Sequence, residues 1–158
     1  MAARARDKVL GRQAAARRLA AARKRGQRVV FTNGCFDILH VGHLRSLEQA
    51  KALGDVLVVG VNRDRRVREL KGPRRPVVPD RQRAELLAGL LPVDYVVLFG
   101  EDHPAPLIRA LRPDIVCKGG EYRDQDSAEK RMIESLGGRF VLLRQIPGVR
   151  SSRIIEKF

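Results

Sequence analysis

Tryptophan is missing from this chain, and aromatic residues make up only 4% of it. Surfaces that hold single-stranded nucleic acid stack bases on aromatic rings set among basic residues, so the shortage counts against such a module. Only two cysteines are present, Cys35 and Cys117, and their spacing suits neither a zinc motif nor a disulfide framework. A reducing cytoplasm is the expected setting, and both cysteines read as core residues at strand ends rather than nucleophiles. Long apolar runs are absent too. Stretches such as Val56–Val61 are strand-sized, so no bilayer span is expected. The first residues lack the apolar segment of a secretory signal.

Acidic residues are outnumbered, 18 Asp and Glu against 32 Lys and Arg, for a net charge of +14 over 158 residues. The excess is concentrated. Residues 1–28 carry ten Lys/Arg against one acid, and residues 63–83 carry nine against three. A basic arm suggests nucleic acid or a membrane surface, whereas a basic loop in an enzyme suggests a phosphorylated substrate. The length predicts one domain with a sizeable core.

The opening "ARDKVLGRQAAARRLAAARKRGQ" is Ala- and Arg-rich and predicts a helix ending near Gly26. An organellar transit peptide is the rival reading, opposed by the lack of Ser and the direct run into a strand. Residues 1–27 are therefore set apart as a basic helical arm, and 28–158 as the domain proper. Within the domain, the apolar strands "RVVFTN", "DVLVVGVN", "DYVVLF", "DIVCKG" and "RFVLLRQ" alternate with amphipathic helices, and a charged loop covers residues 63–78. Continuously apolar strands separated by helices predict an α/β fold with a doubly wound parallel sheet, covered on both faces. Ligands then belong beyond the carboxyl ends of the strands.

One such end is "TNGCFDILHVGH", residues 32–43, which holds two of the three histidines. If a helix starts near His40, then His40 and His43 share a face of its first turn. Unpaired N–H groups and the helix dipole make that end an anion site. Gly42 leaves room for a flat group, and Asn33-Gly34 supplies a tight turn. A helix cap is the alternative role for one of the histidines. The package suits a polyphosphate with a planar base beside it. His103, in "EDHPAP", reads as loop surface.

"GCFDILHVGH" resembles the HxGH signature of the nucleotidyltransferase superfamily, shared with cytidylyltransferases, pantetheine-phosphate adenylyltransferase and FAD synthetases. The "TNGCFD" start, "VNRDRRVRELKGPRRPVVPDRQR", "VDYVV", "PDIVCKGGEY" and "GVRSSRII" are similar, in order, to the adenylyltransferases of D-glycero-β-D-manno-heptose 1-phosphate. The resemblance covers residues 28–158 and implies a Rossmann-like fold. It also implies in-line attack by a sugar 1-phosphate on the α-phosphate of ATP. Such a nucleophile is already an anion, so positioning and charge neutralisation replace a general base.

By the same resemblance, His40 and His43 meet the triphosphate, and Thr32, Asn33, Gly34, Cys35 and Phe36 line the nucleotide. Lys71, on a mobile loop, and Arg83 reach the reacting phosphates. Asp37 either touches substrate or caps the helix. Asn62 and Asp64 hold the sugar phosphate or a metal-bound water. Lys118, Gly119, Gly120, Glu121 and Tyr122 lie near the adenosine and its acceptor. Ser151 and Ser152 grip phosphate oxygens; Arg150 stands where the family has the first residue of Ser-Thr-Thr and is expected to share that duty. Arg63, Arg65, Arg66, Arg74 and Arg75 are expected to be solvated. Mg²⁺ is expected with the triphosphate, without a protein cage. A separate kinase is expected to supply the sugar 1-phosphate, a homodimer is an open expectation, and no specific nucleic acid or membrane partner is expected. The alternatives are a cytidylyltransferase acting on glycerol 3-phosphate, an FAD synthetase and, outside enzymes, a nucleic-acid-binding module.

Overall fold

A computed structural model describes residues 3–119, 127–145, 147–148 and 150–158. Five strands, β1 (Val29–Gly34), β2 (Val56–Asn62), β3 (Tyr95–Phe99), β4 (Ile115–Lys118) and β5 (Arg139–Leu142), form one sheet. The order is β3-β2-β1-β4-β5, and every pairing is parallel. This is the expected doubly wound sheet. The chain runs outward from β1 to one edge, then returns to β4, so the crevice between β1 and β4 is the topological switch point where such folds bind ligands.

Alternation along each strand divides the core. Val29, Phe31, Val58, Val97 and Phe99 face one side, where α1 (Arg12–Lys24), α5 (Ala105–Leu111) and α6 (Ala128–Ser135) cover them. Val30, Leu57, Val59, Val61 and Val96 face the other, under α2 (Val41–Ala52) and α4 (Asp80–Ala88). Gly54, after α2, lets the chain cross closely under β1. A Cβ there would lie 2.7 Å from Val30 Cγ2 and 2.8 Å from the Arg28 carbonyl oxygen.

Two expectations need correction. The charged stretch after β2 is not a loop throughout: Asp64–Lys71 forms a helix, α3, with Val67 buried beneath it. Two apolar residues among six polar ones, Val67 and Leu70, give little periodic signal, and since Leu70 is exposed it is burial of Val67 by tertiary packing that supplies what propensity does not.

The second correction concerns the basic arm, which is part of the core. Ala15 and Leu19 of α1 are 0% exposed and pack with Phe31, Val97 and Leu107. Ahead of α1, a 3-10 turn over Ala5–Lys8 leads to Val9, which bridges Val96 in parallel, and Leu10 N donates to Val96 O. Four of the arm's cations join this packing. Lys8 Nζ donates to Val93 O, and Arg23 Nη1 donates to the Leu111 and Arg112 carbonyls at the end of α5. Arg18 lies over the Tyr95 ring and Arg12 pairs with Glu101. Among the described residues, no helix is long and apolar enough to cross a membrane.

Candidate active site

Beyond the carboxyl end of β1 lies a cavity of about 250 Å³, lined among others by Asn33, Gly34, Phe36, His43, Lys71 and Ser151. It collects pieces far apart in the chain. Thr32, Cys35, Asp37, Ser46, Leu47, Gly119 and Leu143 complete its wall.

His40 is the N-cap of α2, with extended φ and ψ of −142° and 174°. Its Nδ1 accepts from Gly42 N at 3.1 Å and His43 N at 3.4 Å, while His43 Nδ1 accepts from His40 N at 3.3 Å. This reciprocal arrangement has the form of a capping box with imidazoles in both roles. It corrects the expectation of free N–H groups at this end, because the N–H groups of Gly42 and His43 are satisfied by His40. It also sets the chemistry of both rings. A neutral imidazole whose Nδ1 accepts must carry its proton on Nε2, so each histidine keeps one N–H donor for a ligand. The rings stack with centroids 3.8 Å apart, and Phe36 packs against His43 at 5.2 Å.

Burial pulls the His43 pKa from an ordinary 6.5 to about 4, with the His40 and Lys71 charges pushing the same way. Burial also lowers that of His40. Both are neutral donors at pH 7. Between about pH 6.5 and 4 the unfolded chain binds more protons at His43 than the folded one, so stability falls as pH drops through that window. At fixed substrate ionisation, turnover should show no histidine limb between about pH 6 and 8, and it should be lost together with the fold on acidification toward pH 4. A pH profile taken beside a denaturation series checks this. A limb near 6.5 would show that one ring works as a cation.

The turn between β1 and α2 is held from outside the cavity. Phe36 sits at φ +50°, the left-handed region that a bulky residue rarely adopts, with its ring over Gly34. Arg83 supports this turn rather than reaching a phosphate. Its guanidinium is fully buried, and Nη1 donates to the Cys35 carbonyl at 2.5 Å, Nε to the Val78 carbonyl at 2.8 Å and Nη2 to Asp64 Oδ1 at 2.8 Å. Asp64 is thereby committed to Arg83.

Asp37 is corrected in the same way. It does not cap α2: its side chain is 0% exposed, Arg75 Nε donates to it at 2.6 Å, and Val77 N and Val78 N donate at 2.8 and 3.0 Å. Burial alone would raise its pKa. The Val78 N–H, the Arg75 guanidinium and the Val77 N–H outweigh this and hold it below the ordinary value. Arg75, expected in solvent, is its buried counter-ion. Arg66 is also partly buried, paired with Glu69 and near Asp102, whereas Arg63, Arg65 and Arg74 are exposed.

Elsewhere, Lys71 ends α3 at the cavity mouth and is exposed. Asn62 is buried at the end of β2, where the Cys35 thiol approaches its Oδ1 at 3.7 Å. Asn33 Oδ1 is buried in the cavity wall and has no hydrogen-bond partner among the described residues. Lys118 ends β4 and lies 3.5 Å from Glu129 of α6, a buried carboxylate that the sequence does not single out. Burial lowers the Lys118 pKa, and Glu129 works against that shift.

Ser151 donates its hydroxyl to the Ile38 carbonyl at 2.9 Å, tying the start of α7 (Ser151–Ile155) to the β1 turn. Ser152 and Arg150 are exposed beside it. Gly120, Glu121 and Tyr122 lie outside the described residues. Cys117 is buried, which pushes its thiol up to about 12 despite the Thr32 hydroxyl and Lys118. Burial raises Cys35 too, although Lys71 and Arg83 oppose it. His103 is exposed. Two missed residues had unequal signals. Arg75 stands between Pro73 and Pro76, a stiff setting for a side chain meant to wander, whereas nothing local marks Glu129.

Comparison with known proteins adds to this geometry. The profile of the family described as "Cytidylyltransferase-like" matches residues 31–157. "Bifunctional protein HldE" of Syntrophotalea carbinolica is 51% identical over 135 residues, which are 85% of this chain and 28% of that protein. The protein of the same name from Trichlorobacter lovleyi is 47% identical over 151 residues, 96% of this chain and 31% of its own. The chain thus spans less than a third of these curated relatives. A solved structure of the lipopolysaccharide core biosynthesis protein from Thermoplasma volcanium superposes with a TM-score of 0.65 at 31% identity, covering 77% of this chain and 98% of that one.

Proposed function

Since the chain belongs to the cytidylyltransferase-like family, we propose that it is an adenylyltransferase acting on a sugar 1-phosphate. The acceptor we assign is D-glycero-β-D-manno-heptose 1-phosphate, and the products are ADP-heptose and pyrophosphate. The observation that carries the chemistry is the imidazole pair at the start of α2, with both Nδ1 atoms engaged and both Nε2–H groups left as donors. The "TNGCFD" and "KGGEY" segments support the acceptor, as does the solved relative, a lipopolysaccharide core biosynthesis protein.

An oxygen of the acceptor phosphate attacks the α-phosphorus of ATP in line, and the bond from that phosphorus to the bridging oxygen breaks. Pyrophosphate takes the electron pair. The attacking oxygen is anionic, so no side chain needs to accept a proton. His40 and His43 donate to phosphate oxygens, and Lys71 supplies positive charge where negative charge accumulates. Asn33 Oδ1, buried and unpaired among the described residues, is an acceptor for a substrate hydroxyl or amino group. Ser152 and Arg150, exposed at the start of α7, are assigned to the outer phosphates.

The donor set does not build a resident magnesium site. Among the described residues no three His, Cys, Asp or Glu converge; Asp37, which lines the cavity, is held by Arg75, and Asp64 by Arg83. Magnesium therefore enters as part of the substrate, MgATP. A kinase acting at the sugar 1-position must make the acceptor; the relatives' name, "bifunctional", is consistent with a second activity close at hand.

Incubation with each nucleoside triphosphate, Mg²⁺ and a panel of sugar, polyol and flavin phosphates, following pyrophosphate, tests the proposal. ATP with the heptose 1-phosphate should turn over fastest. Preference for CTP with glycerol 3-phosphate, or for ATP with FMN, would reject the acceptor and retain the chemistry.

A further inference from the structure

Loop 72–79 connects α3, which ends at Lys71, to α4, which begins at Asp80. Two buried groups clamp it against the β1 turn. Asp37 accepts from Arg75 Nε, Val77 N and Val78 N, while Arg83 donates to the Val78 and Cys35 carbonyls. A turn inside the loop, Arg75 N to Gly72 O at 3.1 Å, brings the arginine back toward Lys71. We propose that Arg75 is a positioning residue: paired with Asp37, it latches loop 72–79 onto the end of β1 and so holds Lys71 at the mouth of the phosphate cavity.

The charges argue for a latch rather than a chance contact. Lys71 and Asp37 line the same cavity, but Lys71 is exposed and has no partner among the described residues, so nothing on its own side chain fixes it. Its backbone is held from both sides, by α3 before it, seated through Val67, and by the loop after it, which is anchored through Asp37. A buried carboxylate keeps its charge only while it is paired and hydrogen-bonded, so removing Arg75 leaves Asp37 uncompensated. The loop then has reason to open and solvate it.

What Lys71 does when held rests on the nucleotidyl-transfer reading; the latch itself does not. Cys35 supplies a readout independent of activity. Its thiol lines the cavity beneath the clamped turn, while Cys117, the other cysteine, is 0% exposed and its thiol is pushed up to about 12, an internal control.

The experiment is alkylation of the native protein with N-ethylmaleimide, followed by mass spectrometry, alongside steady-state kinetics. Arg75→Gln should speed labelling of Cys35 on the order of tenfold through local opening and leave Cys117 unlabelled. It should lower kcat by roughly tenfold with a smaller change in the KM for ATP, because the cation closes on the reacting state. Arg75→Lys should recover part of both effects. The double variant Asp37→Asn with Arg75→Gln, which removes both members of the buried pair and leaves no carboxylate uncompensated there, should be no worse than the single change. Leu111→Ala, a core change of comparable cost to stability, should leave Cys35 labelling as in the parent. Parental labelling in a folded Arg75→Gln overturns the latch. So does a fall in kcat with labelling unchanged, since Arg75 would then act on substrate directly. If the parent protein transfers no nucleotide to any acceptor, the functional reading fails and the labelling arm still decides the latch.

Discussion

Replacing His43 with alanine is expected to lower turnover by roughly 10²–10³, about 3–4 kcal/mol of lost transition-state stabilisation, while ATP binding suffers less. The ring is fixed on three sides: its Nδ1 accepts from His40 N, one face stacks on His40, and Phe36 packs against it. That leaves a single Nε2–H donor in a cavity wall, oriented before substrate arrives. Removing it deletes a preorganised donor and leaves the cap on Gly42 in place. His40 is harder to test cleanly, because it is both N-cap and candidate donor. His40→Ala should add a stability loss of about 0.5–2 kcal/mol for the missing cap. His40→Asn separates the roles: asparagine caps well, so the unfolding midpoint should hold while turnover drops as for His43→Ala. Near-normal turnover in folded His43→Ala would return that histidine to a structural role.

Deleting residues 1–26 is expected to cost the fold, not merely a basic appendage. Without α1 the side of the sheet carrying Val29, Phe31 and Val97 loses Ala15, Leu19 and Ala22 as its cover. The deletion also removes the Val9 bridge to edge strand β3 and the Arg23 contacts that end α5. Leu19→Ala alone, at a site with 0% exposure, should destabilise by about 2–5 kcal/mol. The truncated chain should therefore be insoluble or lack a cooperative melting transition by circular dichroism. A soluble truncation with the parental midpoint and turnover would show that the segment is dispensable after all.

Much of the architecture is readable from residue order because it is encoded locally. Val29–Val30–Phe31 and Val56–Val61 are apolar on both pleat faces, and a strand with two apolar faces has nowhere to go but the middle of a covered sheet. The same holds for α2, whose start is marked by His40 and whose end is marked by Gly54. Where a helix has two apolar residues in eight and buries only one, as α3 does, the periodic signal is weak and packing of Val67 reveals the helix.

The site divides along the same line. Sequence alone determined that His40, Gly42 and His43 share a helix start at a strand end, and that Lys71 and Ser151 belong to segments reaching the same edge. Three residues of one turn, or a residue just past a strand, are placed by local geometry. Tertiary structure alone decided which charges are free to meet a substrate. Arg83 was expected at the phosphates, Asp37 at substrate or as a helix cap and Arg75 in solvent, yet all three are largely withdrawn from solvent in one network that links β1, the 72–79 loop and α4. The partners are 38 residues apart for Asp37 and Arg75, and 48 for Arg83 and the Cys35 carbonyl. An arginine in water and an arginine buried against a carboxylate look alike in a sequence. What separates them is desolvation, which depends on every element packed around the guanidinium and on no neighbour along the chain.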